Sequence, residues 1–242
     1  MKIKIAHLYY DLMNLYGDNG NLKALQNQLN NQDIKCKIEF LTIGDNFDFS
    51  KYDLIYMGPG TDYNQKMVLK DIIKYKNAIK KAVDEHKFFL ITGNAIDLFG
   101  KYILEDKKKI KTLNIFDFYS VNESFRLVDE VVAKSKNSEK FILGFQNQRS
   151  TMHNLSEPLF EIIKGCGSSP NSKTEGFKYN NFLGTYLIGP LLVRNPYLLK
   201  ELTRKLILTT DPNFKFKPFH LTLEQKAYDS YIENYYSELS KK

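Results

Sequence analysis

Two cysteines, Cys36 and Cys166, are the strongest nucleophiles in this 242-residue chain. A thiol attacks an amide carbon only where a neighbouring base takes its proton. His7, His86, His153 and His220 are scattered without ligand spacing, and neither cysteine has a Cys-x-x-Cys partner. No metal site, disulfide framework or other cofactor site is therefore expected. Cys36 sits in an alternating apolar run and reads as a small core residue. Cys166 lies in Gly165-Cys166-Gly167-Ser168-Ser169-Pro170, a loop composition, and Ser168 to Thr174 reads as a loose loop. Two glycine turns carry a different chemistry. Gly58-Pro59-Gly60-Thr61-Asp62 and Thr92-Gly93-Asn94 can each present backbone N–H donors to an anion or an amide. Asn94, Thr61, Gln148 and Arg149 could line a pocket between them, with Arg149 holding a carboxylate or phosphate. The plainer reading of Arg149 is an exposed surface arginine, and of His153 an exposed histidine.

The elements that must position these turns alternate. Ile3 to Tyr9 and Ile34 to Thr42 have the period of strands. Between them, Asp18-Asn19-Gly20-Asn21 can cap a helix carrying Leu22, Leu25 and Leu29. Tyr52 to Met57 is a short apolar strand that ends at Gly58, and a long helix to about Glu85 follows. Lys87 to Ile91 is another strand, ending at Thr92-Gly93-Asn94, with a short helix from Ala95 to Phe99. Strands alternating with helices predict an α/β fold with a mostly parallel sheet flanked by helices. Ligands of such folds sit at the carboxyl ends of the strands, where both glycine turns fall. From about Ile110 the pattern is strand-rich. Lys111 to Tyr119, Leu127 to Ala133 and Phe141 to Phe145 predict antiparallel hairpins added to the sheet, and Leu183 to Leu192 a further strand and turn. Tyr197 to Leu208 and Leu223 to Leu239 predict helices. The last carries Tyr228, Tyr231, Tyr235 and Tyr236, as a packed amphipathic helix or a partner-docking one. No linker or repeat interrupts the chain, so residues 1–242 read as one domain.

Lys and Arg number 35 against 28 Asp and Glu, a net charge of +7. A nucleic-acid partner would use such charge. The lysines are spread, only Lys107-Lys108-Lys109 forms a run, and arginine is scarce, so a solvated surface is expected instead. No apolar run is long enough to span a membrane. The alternating start, Met1-Lys2-Ile3-Lys4-Ile5, is unlike a signal peptide, which predicts a cytoplasmic protein.

Five segments together resemble one family. Leu15-Tyr16-Gly17-Asp18-Asn19-Gly20-Asn21 resembles the opening of the class I glutamine amidotransferases of the cobyric acid synthase branch, and above all the glutaminase subunits of lipid II isoglutaminyl synthases. Gly58-Pro59-Gly60-Thr61-Asp62 with Gln65 is similar to that family's glycine-rich oxyanion loop. Leu113-Asn114-Ile115-Phe116-Asp117-Phe118-Tyr119 is similar to its "gLGilDFYT" segment, and Gly144-Phe145-Gln146-Asn147-Gln148 to "GfEnHgGrT". Phe182-Leu183-Gly184-Thr185-Tyr186-Leu187-Ile188-Gly189-Pro190 resembles "llGTYLHGP" almost residue for residue. The resemblance covers nearly the whole chain and implies a flavodoxin-like amidotransferase fold.

It also implies where the chemistry should be. The family's nucleophilic cysteine, in "CGGYQfLG", falls on Gly93. Its histidine base, in "TYLHGP", falls on Ile188, and a further histidine falls on Gln148. Neither Gly93 nor Ile188 can move a proton or form a covalent bond, so no catalytic residue is expected at these positions. The resemblance implies pairing with a Mur-ligase-like synthetase in amidation of a cell-wall precursor, here by a subunit without glutaminase activity. Two alternatives stand beside that reading. One is a binding module that holds glutamine or another small amide or anion through Gly58, Pro59, Gly60, Thr61, Gly93, Asn94, Gln148 and Arg149. The other is an enzyme with an unorthodox nucleophile, Thr92 or Cys166.

Overall fold

The computed structural model describes residues 1–136 and 138–238. The chain begins β1 (Lys2–Leu8), α1 (Gly20–Asn31), β2 (Lys35–Leu41), β3 (Leu54–Met57), α2 (Asp62–Ile72), α3 (Lys76–Asp84) and β4 (Phe88–Thr92). A 3-10 helix over Gly93–Phe99 follows, then β5 (Tyr102–Glu105), β6 (Lys108–Lys111), β7 (Tyr119–Lys134), β8 (Phe141–His153), β9 (Phe160–Lys164) and β10 (Thr174–Glu175). It ends with β11 (Phe177–Tyr179), β12 (Phe182–Thr185), α4 (Leu191–Arg194), α5 (Pro196–Thr210) and α6 (Thr222–Tyr236).

The first sheet runs β11-β12-β4-β3-β1-β2. All its pairs are parallel except β11 with β12. Alternation of side chains sorts each central strand onto two faces. Ala6, Leu8, Ile55, Met57, Phe89 and Ile91 pack on one side with Ile72, Ile79 and Val83 of the α2–α3 region. Ile3, Ile5, Leu54, Tyr56, Phe88 and Leu90 pack on the other with Leu22, Leu25 and Leu29 of α1 and Leu199, Leu202 and Leu206 of α5. Both faces are covered, which is why β3 and β4 read as continuous apolar runs.

Several expectations are refined. The hairpins after Ile110 do not extend the first sheet but form a second, ordered β10-β9-β7-β5-β6 with β8 paired to β7. The strand expected from Lys111 to Tyr119 is not formed. Leu113, Phe116 and Phe118 are buried in the joint with the first sheet, and Asn114 takes φ +48. Their alternation reflects wedging into that joint rather than a ladder. The long helix to Glu85 is broken by a 3-10 turn at Ile73–Tyr75. Asp18 and Asn21 do not cap α1 through their side chains. Asp18 is wholly buried, and the Asn21 Oδ1 accepts the Leu192 N–H at 2.7 Å. The Ser168–Thr174 segment is not loose: Ser168 is buried, its Oγ accepts the Gly176 N–H at 3.0 Å, and its N–H reaches the Thr174 carbonyl at 2.9 Å. His153 is half-buried and stacks on Tyr119 at 5.3 Å. The C-terminal helix packs Tyr228, Ile232 and Tyr236 on Val132 and Leu143, with Tyr235 left exposed. Leu239, the expected end of that helix, lies outside the described residues. Among those described, no helix is long and apolar enough to cross a membrane.

Candidate functional site

A cleft of about 550 Å³ opens at the carboxyl edge of the first sheet. Its walls come from the loops after β1 (Leu15, Tyr16) and β3 (Pro59 to Thr61), the start of α2 (Asp62, Tyr63) and the turn after β4 (Gly93, Asn94), with Ile188 and residues of β7 and β8 closing it. Strand order reverses between β1 and β3, and the loops leaving those strands diverge there, which is where a doubly wound sheet forms its crevice. Seven of the eight residues expected to bind a ligand line this cleft: Pro59, Gly60, Thr61, Gly93, Asn94, Gln148 and Arg149. The eighth, Gly58, does not. It is buried behind the loop, where a Cβ would lie 2.9 Å from both the Met13 carbonyl oxygen and the Tyr56 hydroxyl. Its role is to let the loop pass.

The turn after β4 passes from strand into the 3-10 helix at an elbow built on Gly93, which has no side chain. Gly93 takes φ +59, a conformation strained for any residue with a Cβ. A Cβ built there would stand 2.5 Å from the Pro59 Cβ, so a side chain at 93 requires the β3–α2 loop to move. Asn94 crosses to that loop. Its Oδ1 accepts the Gly60 N–H at 2.9 Å and its Nδ2 donates to the Gly60 carbonyl at 3.0 Å. Pro59 contributes no N–H. Gln65, from α2, donates to the Asn94 carbonyl at 2.6 Å and to Asp97 at 3.1 Å. Asp97 also accepts from Ser120, Ser150 and Tyr186. Burial pushes its carboxyl up, against the opposing pull of these four donors.

Ile188 is 2% exposed and bridges to Phe145 through two backbone hydrogen bonds, of 2.9 and 3.2 Å. Ile188 also lines the cleft. Gln148 is buried, with Nε2 on the Ser150 carbonyl at 3.0 Å and Oε1 without a partner in the protein. Arg149 is half-exposed. Its Nε donates to the Glu123 carbonyl at 2.9 Å, and its Nη1 lies 3.5 Å from Asp62 and 3.8 Å from Glu105.

Thr92 and Cys166, the two candidate unorthodox nucleophiles, lie outside the lining of the cleft. Thr92 is fully buried and its hydroxyl donates to Asp18 Oδ2, which also accepts from the Tyr56 hydroxyl at 2.5 Å. Burial pushes the Asp18 carboxyl up, against the pull of those donors, and its Oδ1 has no partner. Burial, then the Asp129 carboxylate, push the Cys166 thiol up, away from the reactive thiolate.

Sequence reasoning missed Arg126, Asn147, Tyr16 and Tyr63, all of which line the cleft. Arg126 arrives through an irregularity in the β7–β8 pairing. Asn122 faces Ser150 and Leu127 faces Gln148, so four residues of β7 bulge opposite Arg149 alone. Arg126 Nη1 then reaches the Asn147 Oδ1 at 3.1 Å. No local pattern around Phe125-Arg126-Leu127 announces that bulge.

Sheet order, cleft position and elbow define the architecture of a class I glutamine amidotransferase. Two solved structures share it at sequence identities that speak for the fold alone. A glutamine amidotransferase (tm1158) from Thermotoga maritima superposes with TM-score 0.51 at 10% identity, over 98% of this chain and 92% of that one. The glutaminase domain of Trypanosoma brucei CTPS with bound acivicin gives 0.50 at 11%, over 89% and 96%. Residues 4–196 match the CobB/CobQ-like glutamine amidotransferase domain, and the chain belongs to that family. Among its relatives are the GatD subunits of lipid II isoglutaminyl synthase (glutamine-hydrolyzing). That of Staphylococcus aureus (strain N315) is 31% identical over 205 residues, 83% of this chain and 84% of the relative. That of Streptococcus pneumoniae (strain ATCC BAA-255 / R6) is 29% identical over 205 residues, 83% of this chain and 79% of the relative.

Proposed function

We propose that this chain is a cytoplasmic, non-catalytic amidotransferase-like subunit that pairs with a Mur-ligase-like synthetase in amidation of the cell-wall precursor lipid II. One observation carries the reading. Gly93, Ile188 and Gln148, which stand at the family's chemical positions in three separate motifs, converge on one cleft. The fold that a partner would recognise persists, while the residues lining the cleft include neither a cysteine nor a histidine. Loss of one member of a nucleophile–base pair costs about as much turnover as loss of both, roughly a millionfold in a protease. The relatives support the assignment of pathway, since both are GatD subunits of a lipid II isoglutaminyl synthase (glutamine-hydrolyzing).

The test is co-purification with a Mur-ligase-like synthetase from the same genome, with glutamate release from glutamine measured for the free chain and the complex. A stable complex with release at background is the expected result. Release above background would overturn the non-catalytic reading, and absence of any complex would overturn the subunit reading. A second reading is binding of a small carboxylate or other anion. Arg126 and Arg149 at the wall of the cleft favour it.

A further inference from the structure

The reciprocal pair between Asn94 and Gly60 has a chemical identity of its own. The end of the Asn94 side chain is a primary carboxamide, the same group that terminates glutamine. Its oxygen accepts the Gly60 N–H at 2.9 Å, and its NH2 donates to the Gly60 carbonyl at 3.0 Å. The O and N positions follow from that pattern, since only the oxygen can accept an N–H and only the nitrogen can donate to a carbonyl. We infer that the Asn94 side chain is a built-in stand-in for a substrate carboxamide, filling the amide end of the cleft so that free glutamine does not bind there. The inference rests on the amidotransferase ancestry of the cleft and deepens the non-catalytic reading.

Three further contacts hold the pair in place. Gln65 anchors the Asn94 backbone by donating to its carbonyl at 2.6 Å. Gly60 is fixed by close packing, because a Cβ there would lie 2.3 Å from Met13 Sδ and 2.9 Å from the Leu12 carbonyl. Pro59, between Gly58 and Gly60, stiffens the loop and offers no donor of its own. An incoming amide that needs the Gly60 N–H must therefore displace an intramolecular partner at high effective concentration. It must also leave the part-buried Asn94 amide to find new partners, which adds to the cost. The stand-in is chemically inert, since Gly93 has no side chain to attack it. The remainder of the cleft, toward Arg126 and Arg149, stays open.

The experiment is thermal unfolding of the wild type and of Asn94→Gly in the presence of glutamine and of acetamide, which replaces the deleted group. The variant should melt lower than the wild type. Ligand at about a hundredfold its Kd should then raise its Tm by about 5–10 °C and leave the wild type unmoved. Equal stabilisation of both proteins by glutamine, or no response of the variant to either ligand, overturns the inference. Should Asn94→Gly fail to fold, Asn94→Ala takes its place. The wild type supplies a readout free of any variant: the Gly60 amide resonance in a glutamine titration. An unmoved resonance supports the stand-in, and a saturable shift overturns it. Glutamine binding by the wild type without glutamate release would sink this inference alone, whereas glutamate release would sink the non-catalytic reading.

Discussion

Gly93, Asn94 and Ile188 stand together in the lining of the cleft. A glycine at the elbow relieves a backbone strained for any other residue, and its missing Cβ lets Pro59 close in. Away from the cleft, His7 has a consequence for acid stability. It is 1% exposed, both ring nitrogens lack partners, and Tyr10, Phe40 and Tyr56 surround it. Burial lowers its pKa from 6.5 to about 4. The folded state therefore favours the neutral ring. The stability this contributes is fully present above pH 6.5 and is lost as pH falls toward 4, where the unfolded chain binds the proton first. Over that window the difference is ~3 kcal/mol. Glu175 runs in the opposite sense. Burial raises it from 4.5 to about 7, so it weakens the fold as pH rises through that range. Comparing the wild type with His7→Phe isolates the histidine. Denaturant unfolding at a series of pH values should show the wild type losing the extra stability on acidification. Parallel curves for the two proteins would refute the assignment.

At the scale of elements, caps and seams decide what packs. Thr61 caps α2 by accepting the Asn64 N–H at 3.0 Å, so the residue that ends the glycine loop also starts the helix carrying Gln65 into the site. The bulge in β7 swings Arg126 to the cleft. Helix α6 seals the far side of the second sheet through Tyr228, which is 5% exposed, lies 5.3 Å from the Tyr197 ring and donates to the Phe141 carbonyl at 2.8 Å. Tyr228→Ala should cost about 3 kcal/mol by cavity formation, and Tyr228→Phe about 1 kcal/mol through the lost hydrogen bond. Urea midpoints with unchanged slope are the check. A neutral Tyr228→Ala would mean that α6 is not part of the folded core. Strands β1, β3 and β4 and helix α5 were legible in the sequence to within a residue or two, because both the apolar period and the breakers are local. The Lys111–Tyr119 segment was not, because its alternation serves a joint between sheets.

At the scale of the whole molecule, the two sheets share their cores. Met152 of β8 and Phe118 pack in the same cluster as Leu8 and Ile91, while Val131 and Ala133 of β7 pack with Ile3 and Leu54. Neither sheet has a complete core of its own, so the described chain should unfold as one unit. Calorimetry should give one transition with a calorimetric to van't Hoff enthalpy ratio of about one, and two resolved transitions would refute a single domain. Residue identity and local period were enough to determine the α/β class and the two glycine turns at the strand ends. These depend only on which residues stand at which spacing. Tertiary structure decided that Gly93, Gln148 and Ile188 face one cleft, that Asn94 closes on Gly60, and that Arg126 joins the wall while Gly58 and Thr92 lie behind it. Those placements depend on crossover connections and on the register of β7 against β8, which bring together residues dozens of positions apart and leave no mark in the local sequence.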